Sequence, residues 1–122
     1  MGSMSRRTEE IVDIARLLEE HRGEDTVALD LREMSSWTDY FVITTVRSSA
    51  HLGGLMRALQ EYLHEHGIAP LSAHKRVPDD GWLLLDCGDV AVHLMGKEMR
   101  EFYSLERLYF RAEVMFHSSK SS

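Results

Sequence analysis

Eight consecutive residues, Asp39 to Val46 (DYFVITTV), constrain the fold more than any other stretch of this chain. Nearly every central position is apolar or β-branched, and successive side chains of a strand point to opposite faces. Such a strand needs cover on both sides, which places it inside an α/β sheet. A second aliphatic run, Val27 to Leu31 (VALDL), lies just upstream across a short polar turn and reads as a neighbouring strand.

Cover for that sheet is available on either flank. Ile11, Ile14, Ala15 and Leu18 recur at helical spacing, so a helix is expected over Thr8 to His21, capped by Thr8 and stopped by Arg22 and Gly23. Downstream, Ser48 or Ser49 caps a second helix whose buried stripe is Leu52, Leu55, Met56, Leu59 and Leu63, ending at Gly67. Gly53 and Gly54 inside it serve either close packing or a looser first turn. An extended segment near Pro70 to Val77 completes a β-α-β unit with parallel strands. WLLLD and VAVHLM, flanking Cys87 and Gly88, then read as an antiparallel hairpin. A last helix is expected over Glu98 to Tyr109, with a break near Ser104 as the alternative to one continuous piece.

The sequence therefore predicts an α/β fold in the order α-β-β-α-β-β-β-α. Its sheet is mixed, mostly parallel, of about five strands, with helices on its faces. At 122 residues, with 43% hydrophobic and 28% charged residues, the chain suits one domain. Residues 1–3 read as a tag remnant, 4–110 as the domain and 111–122 as a flexible C-terminal tail.

Composition narrows function. A net charge of −6 disfavours a broad grip on nucleic-acid phosphates and favours a basic protein partner. One cysteine, Cys87, allows no internal disulfide, and no apolar run is long enough for a bilayer, so a soluble, cytoplasmic protein is expected. Catalytic signatures are missing: the only Gly-Ser pair is Gly2-Ser3, there is no Asp-x-Asp, and no GxSxG, GxxxxGK[ST] or GxGxxG occurs. Cys87 has no histidine or helix N-terminus beside it in the sequence to activate a thiolate. His64 and His66 sit two apart on a helix and point to different sides, so the helix dipole explains them better than a metal does. No catalytic residue, metal or cofactor is expected. The competing reading is a metal-dependent nucleotidyl or phosphoryl transferase built on Asp30, Asp86 or Asp89.

The hairpin carries the strongest binding signal. With Cys87-Gly88 as a two-residue turn, Asp86 faces Asp89, Leu85 faces Val90, Leu83 faces Val92 and Trp82 faces His93. Leu83, Leu85, Val90, Val92 and Leu94 then share a core-facing side, while Trp82, Leu84, Asp86, Asp89, Ala91 and His93 share the other. Between Val77 and Gly96 there are four aspartates, Asp79, Asp80, Asp86 and Asp89, and no Lys or Arg. An indole beside a leucine among acidic groups has the makeup of an interface anchor for a basic partner. The alternative puts Trp82 beneath the last helix and the aspartates in solvated turns.

Taken in order, LDLREMSSWTDYFVI, GWLLLDCGDVAVHLM and REFYSLERLY resemble the ribosomal silencing factor family, also called RsfS or Iojap-like, from about Ile11 to Phe110. The resemblance implies a small α/β domain similar to nucleotidyltransferases but without their catalytic residues, and no enzymatic activity. It implies a protein that binds the fourteenth protein of the large ribosomal subunit and sterically blocks joining of the small subunit, repressing translation when nutrients are short. A homodimer of the free protein is also implied, with neither membrane association nor sequence-specific nucleic-acid binding. The family's functional surface maps to Trp82 and, by extension, to Leu84, Asp86 and Asp89. Tyr103, Leu105 and Glu106 join it from the closing motif, with core packing the alternative for Leu105. Asp39 and Tyr40 are assigned to structure. Where relatives carry a glycine after the second strand and an Arg-x-Glu-Gly stretch before the tryptophan, this chain has Val46-Arg47 and His74-Lys75-Arg76.

Overall fold

Helix α1, Arg6–Glu20, buries Ile11, Val12, Ile14, Ala15 and Leu18, the stripe its spacing dictates. It stops because Arg22 turns into the left-handed region (φ 70°) and the Gly23 N–H reaches back to the Leu18 carbonyl at 2.8 Å. Gly23 is needed for space: a Cβ there would lie 2.3 Å from Thr44 Oγ1 and 2.8 Å from the Leu18 carbonyl oxygen. The structure is a computed structural model that describes residues 6–34, 38–71, 81–105, 107 and 111–118.

Strand β1 (Glu24–Asp30) follows, then β2 (Tyr40–Val46), in which every residue is buried. The double-sided burial expected of DYFVITTV is present, and β2 lies in the middle of the sheet. Helix α2 (Ser49–Glu65) is capped by Ser48, whose side chain accepts the His51 N–H at 3.1 Å. It buries Leu52, Leu55, Met56, Leu59 and Leu63, together with Gly53. Gly54 has open space where a Cβ would stand, so of the two glycines only Gly53 lies on the packed side. At the other end His66 places Nδ1 2.9 Å from the Tyr62 carbonyl, a C-terminal contact in line with the dipole reading of this region.

Hairpin strands β3 (Trp82–Asp86) and β4 (Val90–Gly96) lead into α3 (Lys97–Tyr103), and β5 (Glu113–His117) closes the described chain. The described residues form one five-stranded sheet in the order β3-β4-β2-β1-β5. Only β2 and β4 are parallel; β1–β2, β1–β5 and β3–β4 are antiparallel. The expectation of a mostly parallel sheet is thus corrected to a mixed one. Parallel neighbours need a crossover of a dozen or more residues, and α2 supplies such a crossover between β2 and β4. The connections β1–β2 and β3–β4 are too short for one and fold back.

Three further expectations concern chain order, of which the last is overturned. The segment Pro70 to Val77, expected as a strand, lies largely outside the described residues. The last helix stops at Tyr103, where Ser104 adopts φ 47° and donates its N–H to the Arg100 carbonyl at 2.8 Å, so the broken form is the one found. The tail expected over 111–122 contains β5, which pairs with β1 through Val27↔His117 and Ala28↔Phe116. Five residues with charge at one end and most side chains in contact with water give little strand signal; the open edge of β1 supplies the pairing that defines β5.

Two apolar layers flank the sheet. Helices α1 and α2 cover one face, with Val42, Leu83, Leu85, Val90, Val92 and Leu94 beneath them. The opposite face holds Val27, Leu29, Leu31, Phe41, Ile43 and Met95, with Trp82, Met99, Leu105 and Ala112 packed against them. Arg100, 8% exposed, fastens α3 to this side by donating to Thr45 Oγ1 at 2.9 Å and to the Glu24 carbonyl at 3.3 Å.

Candidate docking surface

Turn chemistry decides what the hairpin presents. Cys87 N–H bonds to the Val90 carbonyl at 2.9 Å, so the two-residue turn is Gly88-Asp89, with φ 89° at Gly88. A turn of the II′ kind puts its positive φ at the first central position, where glycine meets no steric cost. The expected turn at Cys87-Gly88 would have placed cysteine there. The register therefore moves by two residues: Trp82 opposes Met95, Leu84 opposes His93 and Asp86 opposes Ala91. A shift of two preserves side-chain direction, so the division of Trp82, Leu84, Asp86, Ala91 and His93 from Leu83, Leu85, Val90, Val92 and Leu94 stands. The individual pairings expected from the sequence do not, including Asp86 opposite Asp89.

That correction changes the electrostatics. Asp89 is in the turn, and its carboxylate accepts two bonds from the Arg7 guanidinium, from Nη2 at 2.6 Å and from Nε at 2.5 Å. The carboxylate raises the Arg7 pKa further above its ordinary value, chiefly through that hydrogen bond. The cation expected from a partner at this tip is supplied by the chain's own first helix. It draws Asp89 toward α1, on the opposite face from Trp82. Asp86 accepts the Gly88 N–H at 2.9 Å, and Asp30 is held by Arg32 at 2.7 Å, which keeps its carboxyl below the usual range. The three carboxylates of the transferase reading thus have three separate partners. Among the described residues no group of three or more His, Cys, Asp or Glu side chains could hold a metal ion. Burial pushes the Cys87 thiol up to about 11, away from a thiolate at neutral pH.

Of the expected surface residues, the structure brings Trp82, Leu84 and Tyr103 together on the α3 side. Trp82 is half-buried, with its ring centroid 5.0 Å from that of Tyr103. Leu84 is 37% and Tyr103 49% exposed. Both readings of Trp82 hold in part, since the indole packs beside the last helix and still reaches the surface. Leu105 is half-buried against the sheet, the core-packing alternative. Glu106, Asp79 and Asp80 lie outside the described residues. Sequence reasoning passed over Phe102, which is 81% exposed and meets Tyr103 edge-on at 5.0 Å between centroids. Val114 belongs to the same side: it opposes Leu29 across the β1–β5 ladder and is exposed. A helix continuing to Tyr109 would have packed more of this segment on the sheet; the short α3 leaves Phe102 facing out.

His93 also went unsingled as a site residue. It is 5% exposed, its ring 4.9 Å from that of Phe41, and its Nδ1 accepts the Trp82 Nε1–H at 3.1 Å. An indole nitrogen only donates, so His93 is the neutral tautomer protonated at Nε2. Burial lowers its pKa to about 4.

A cleft of about 930 Å³ adjoins the patch, lined by Thr45, Arg47, Ser48, Lys97, Glu98 and Tyr103 among others. Glu24 also lines it and holds Arg47 at 2.7 Å, so the cleft presents balanced rather than concentrated charge. No helix among the described residues is long and apolar enough to cross a membrane.

Comparison with known proteins adds identity to this geometry. The family described as ribosomal silencing factor during starvation matches residues 5–121. A Bacillus subtilis protein named ribosomal silencing factor RsfS is 33% identical over 95 residues, covering 78% of this chain and 80% of its own length. The chloroplastic Iojap protein of Zea mays is 31% identical over 101 residues, 83% of this chain but 43% of that longer protein. A crystal structure of a Chromobacterium violaceum protein superposes with a TM-score of 0.75 at 28% identity, covering 98% of this chain and 92% of that one. The chain belongs to the ribosomal silencing factor family.

Proposed function

We propose that this protein binds the large ribosomal subunit, through its fourteenth protein, with the face formed by Trp82, Leu84, Phe102 and Tyr103, and keeps the small subunit from joining by occupying its place. Translation is thereby repressed when nutrients are limiting. The observation that carries the reading is the half-buried Trp82 flanked by exposed Leu84 and Tyr103 on the side of the sheet opposite the two long helices. Aromatic anchors in a partly desolvated setting dominate protein interfaces. A relative in Mus musculus, 29% identical over 99 residues, is named mitochondrial assembly of ribosomal large subunit protein 1, which supports a large-subunit partner.

Such a block needs no bond making, only a bound body with slow enough release. The apolar centre of the face supplies affinity, and Asp86 supplies local negative charge toward a basic partner. Asp89 contributes less than its place in the sequence suggests, because Arg7 neutralises it. Free copies pair through the same apolar face, so dimer and ribosome complex are mutually exclusive. Capture of the tagged chain from clarified lysate at low salt recovers large-subunit proteins and RNA without those of the small subunit. Equal recovery of both subunits would count against the proposal.

A further inference from the structure

We infer that His93 is the positioning residue for the docking face: it takes up the indole N–H of Trp82, so that the face offers a partner the aromatic ring and not its hydrogen-bond donor. The inference rests on the reading that Trp82 anchors binding, and it specifies the chemistry of the contact.

Three observations carry it. The corrected register sets Trp82 and His93 as a diagonal pair across β3 and β4, a separation that large side chains span. His93 is held in place by its surroundings, nearly sealed from solvent with Phe41 against its ring, so it forms a fixed support. Tyr103 meets the indole at 5.0 Å, so the ring is oriented by the hydrogen bond it donates to His93 and by packing from α3.

With the N–H directed inward, a carbonyl or carboxylate of the partner has no donor to meet at Trp82. The group that fits is a side chain without an acceptor, an aliphatic stem or a cation laid against the ring. Lysine and arginine satisfy both at once, since their stems are apolar and their heads are attracted to the ring face. Asp86, on the same side of the hairpin, favours that choice.

The test titrates the purified chain and four variants with isolated large ribosomal subunits and records the indole N–H resonance of Trp82 in the free proteins. Trp82→Phe, which keeps a ring but loses the hydrogen bond to His93, weakens binding about tenfold, as His93→Phe does, while Trp82→Ala loses binding altogether. His93→Phe moves the indole resonance, speeds its exchange with water and weakens binding about tenfold. His93→Asn, whose Oδ1 stands where Nδ1 stood, restores both. An unchanged resonance and full affinity in His93→Phe would overturn the assignment, as would equal loss of binding in Trp82→Phe and Trp82→Ala. If Trp82→Ala bound as tightly as wild type, the docking reading itself would fail. That result is separable from failure here, in which Trp82→Ala loses binding and His93→Phe keeps it.

Discussion

Replacing Trp82 with alanine is expected to leave the chain folded and to remove the proposed hold on the large subunit. The indole sits on β3, at one edge of the sheet, packed against its surface layer; the layer beneath α1 and α2, with Leu83 and Leu85, is untouched by the change. Some stability is lost, because truncating a partly buried aromatic removes apolar contact. Binding loses more. An aromatic anchor at the centre of an interface is worth about 2 kcal/mol or more, a loss of roughly thirtyfold or greater in affinity. Co-sedimentation with large subunits measures the loss, and a cooperative thermal transition in the same variant checks the fold. A folded Trp82→Ala protein that co-sediments like wild type would refute the anchor.

Acid weakens the fold through His93. Its ordinary pKa of 6.5 drops to about 4 in the folded chain because burial penalises the imidazolium. The unfolded chain therefore binds a proton at a higher pH than the folded one. Stability contributed by keeping His93 neutral is fully present above pH 6.5 and is lost as pH falls from there toward 4. The drop from 6.5 to about 4 corresponds to about 3 kcal/mol over that window. Asp30, held low by Arg32, adds its own loss only at more acidic pH. Urea unfolding at pH 7 and pH 5 checks the effect, with His93→Phe as the control. Wild type loses stability across that interval and the variant's dependence is flatter; parallel curves would contradict the assignment. The same protonation would take away the acceptor that holds the indole, so the docking face and the fold share one acid-sensitive group.

Much of this was legible in local pattern. Ile11, Ile14 and Leu18 on α1, and Leu52 through Leu63 on α2, follow a periodicity that packing had no reason to override. The unbroken apolar character of β2 required cover on both sides, and the structure supplies it. What escaped depended on partners distant in sequence. The small strand β5 exists because β1 offers an open edge, not because Glu113 to His117 carries a strong pattern. Strand direction depended on counting connection lengths rather than on the α/β character of β2.

The surface was half legible for the same reason. Trp82, Leu84 and Tyr103 meet because hairpin alternation and the position of α3 bring them together. Asp89 left the set through a contact with Arg7, 82 positions earlier, which no local window contains. The turn itself was readable: Gly88-Asp89 has glycine where a II′ turn needs it, and Cys87-Gly88 does not. The nearness of Trp82 and His93 was legible even in the expected register, which set them directly opposite, and the observed register makes them a diagonal pair.

Steric exclusion at the subunit interface is the central claim, and a subunit-joining experiment tests it most directly. Isolated large subunits are incubated with the chain before small subunits are added, and the products are separated on a sucrose gradient. The account predicts that the chain stays with free large subunits and that joined ribosomes decline in proportion to its occupancy, with Trp82→Ala inactive. Joined ribosomes that form at full yield while carrying the bound chain would contradict it.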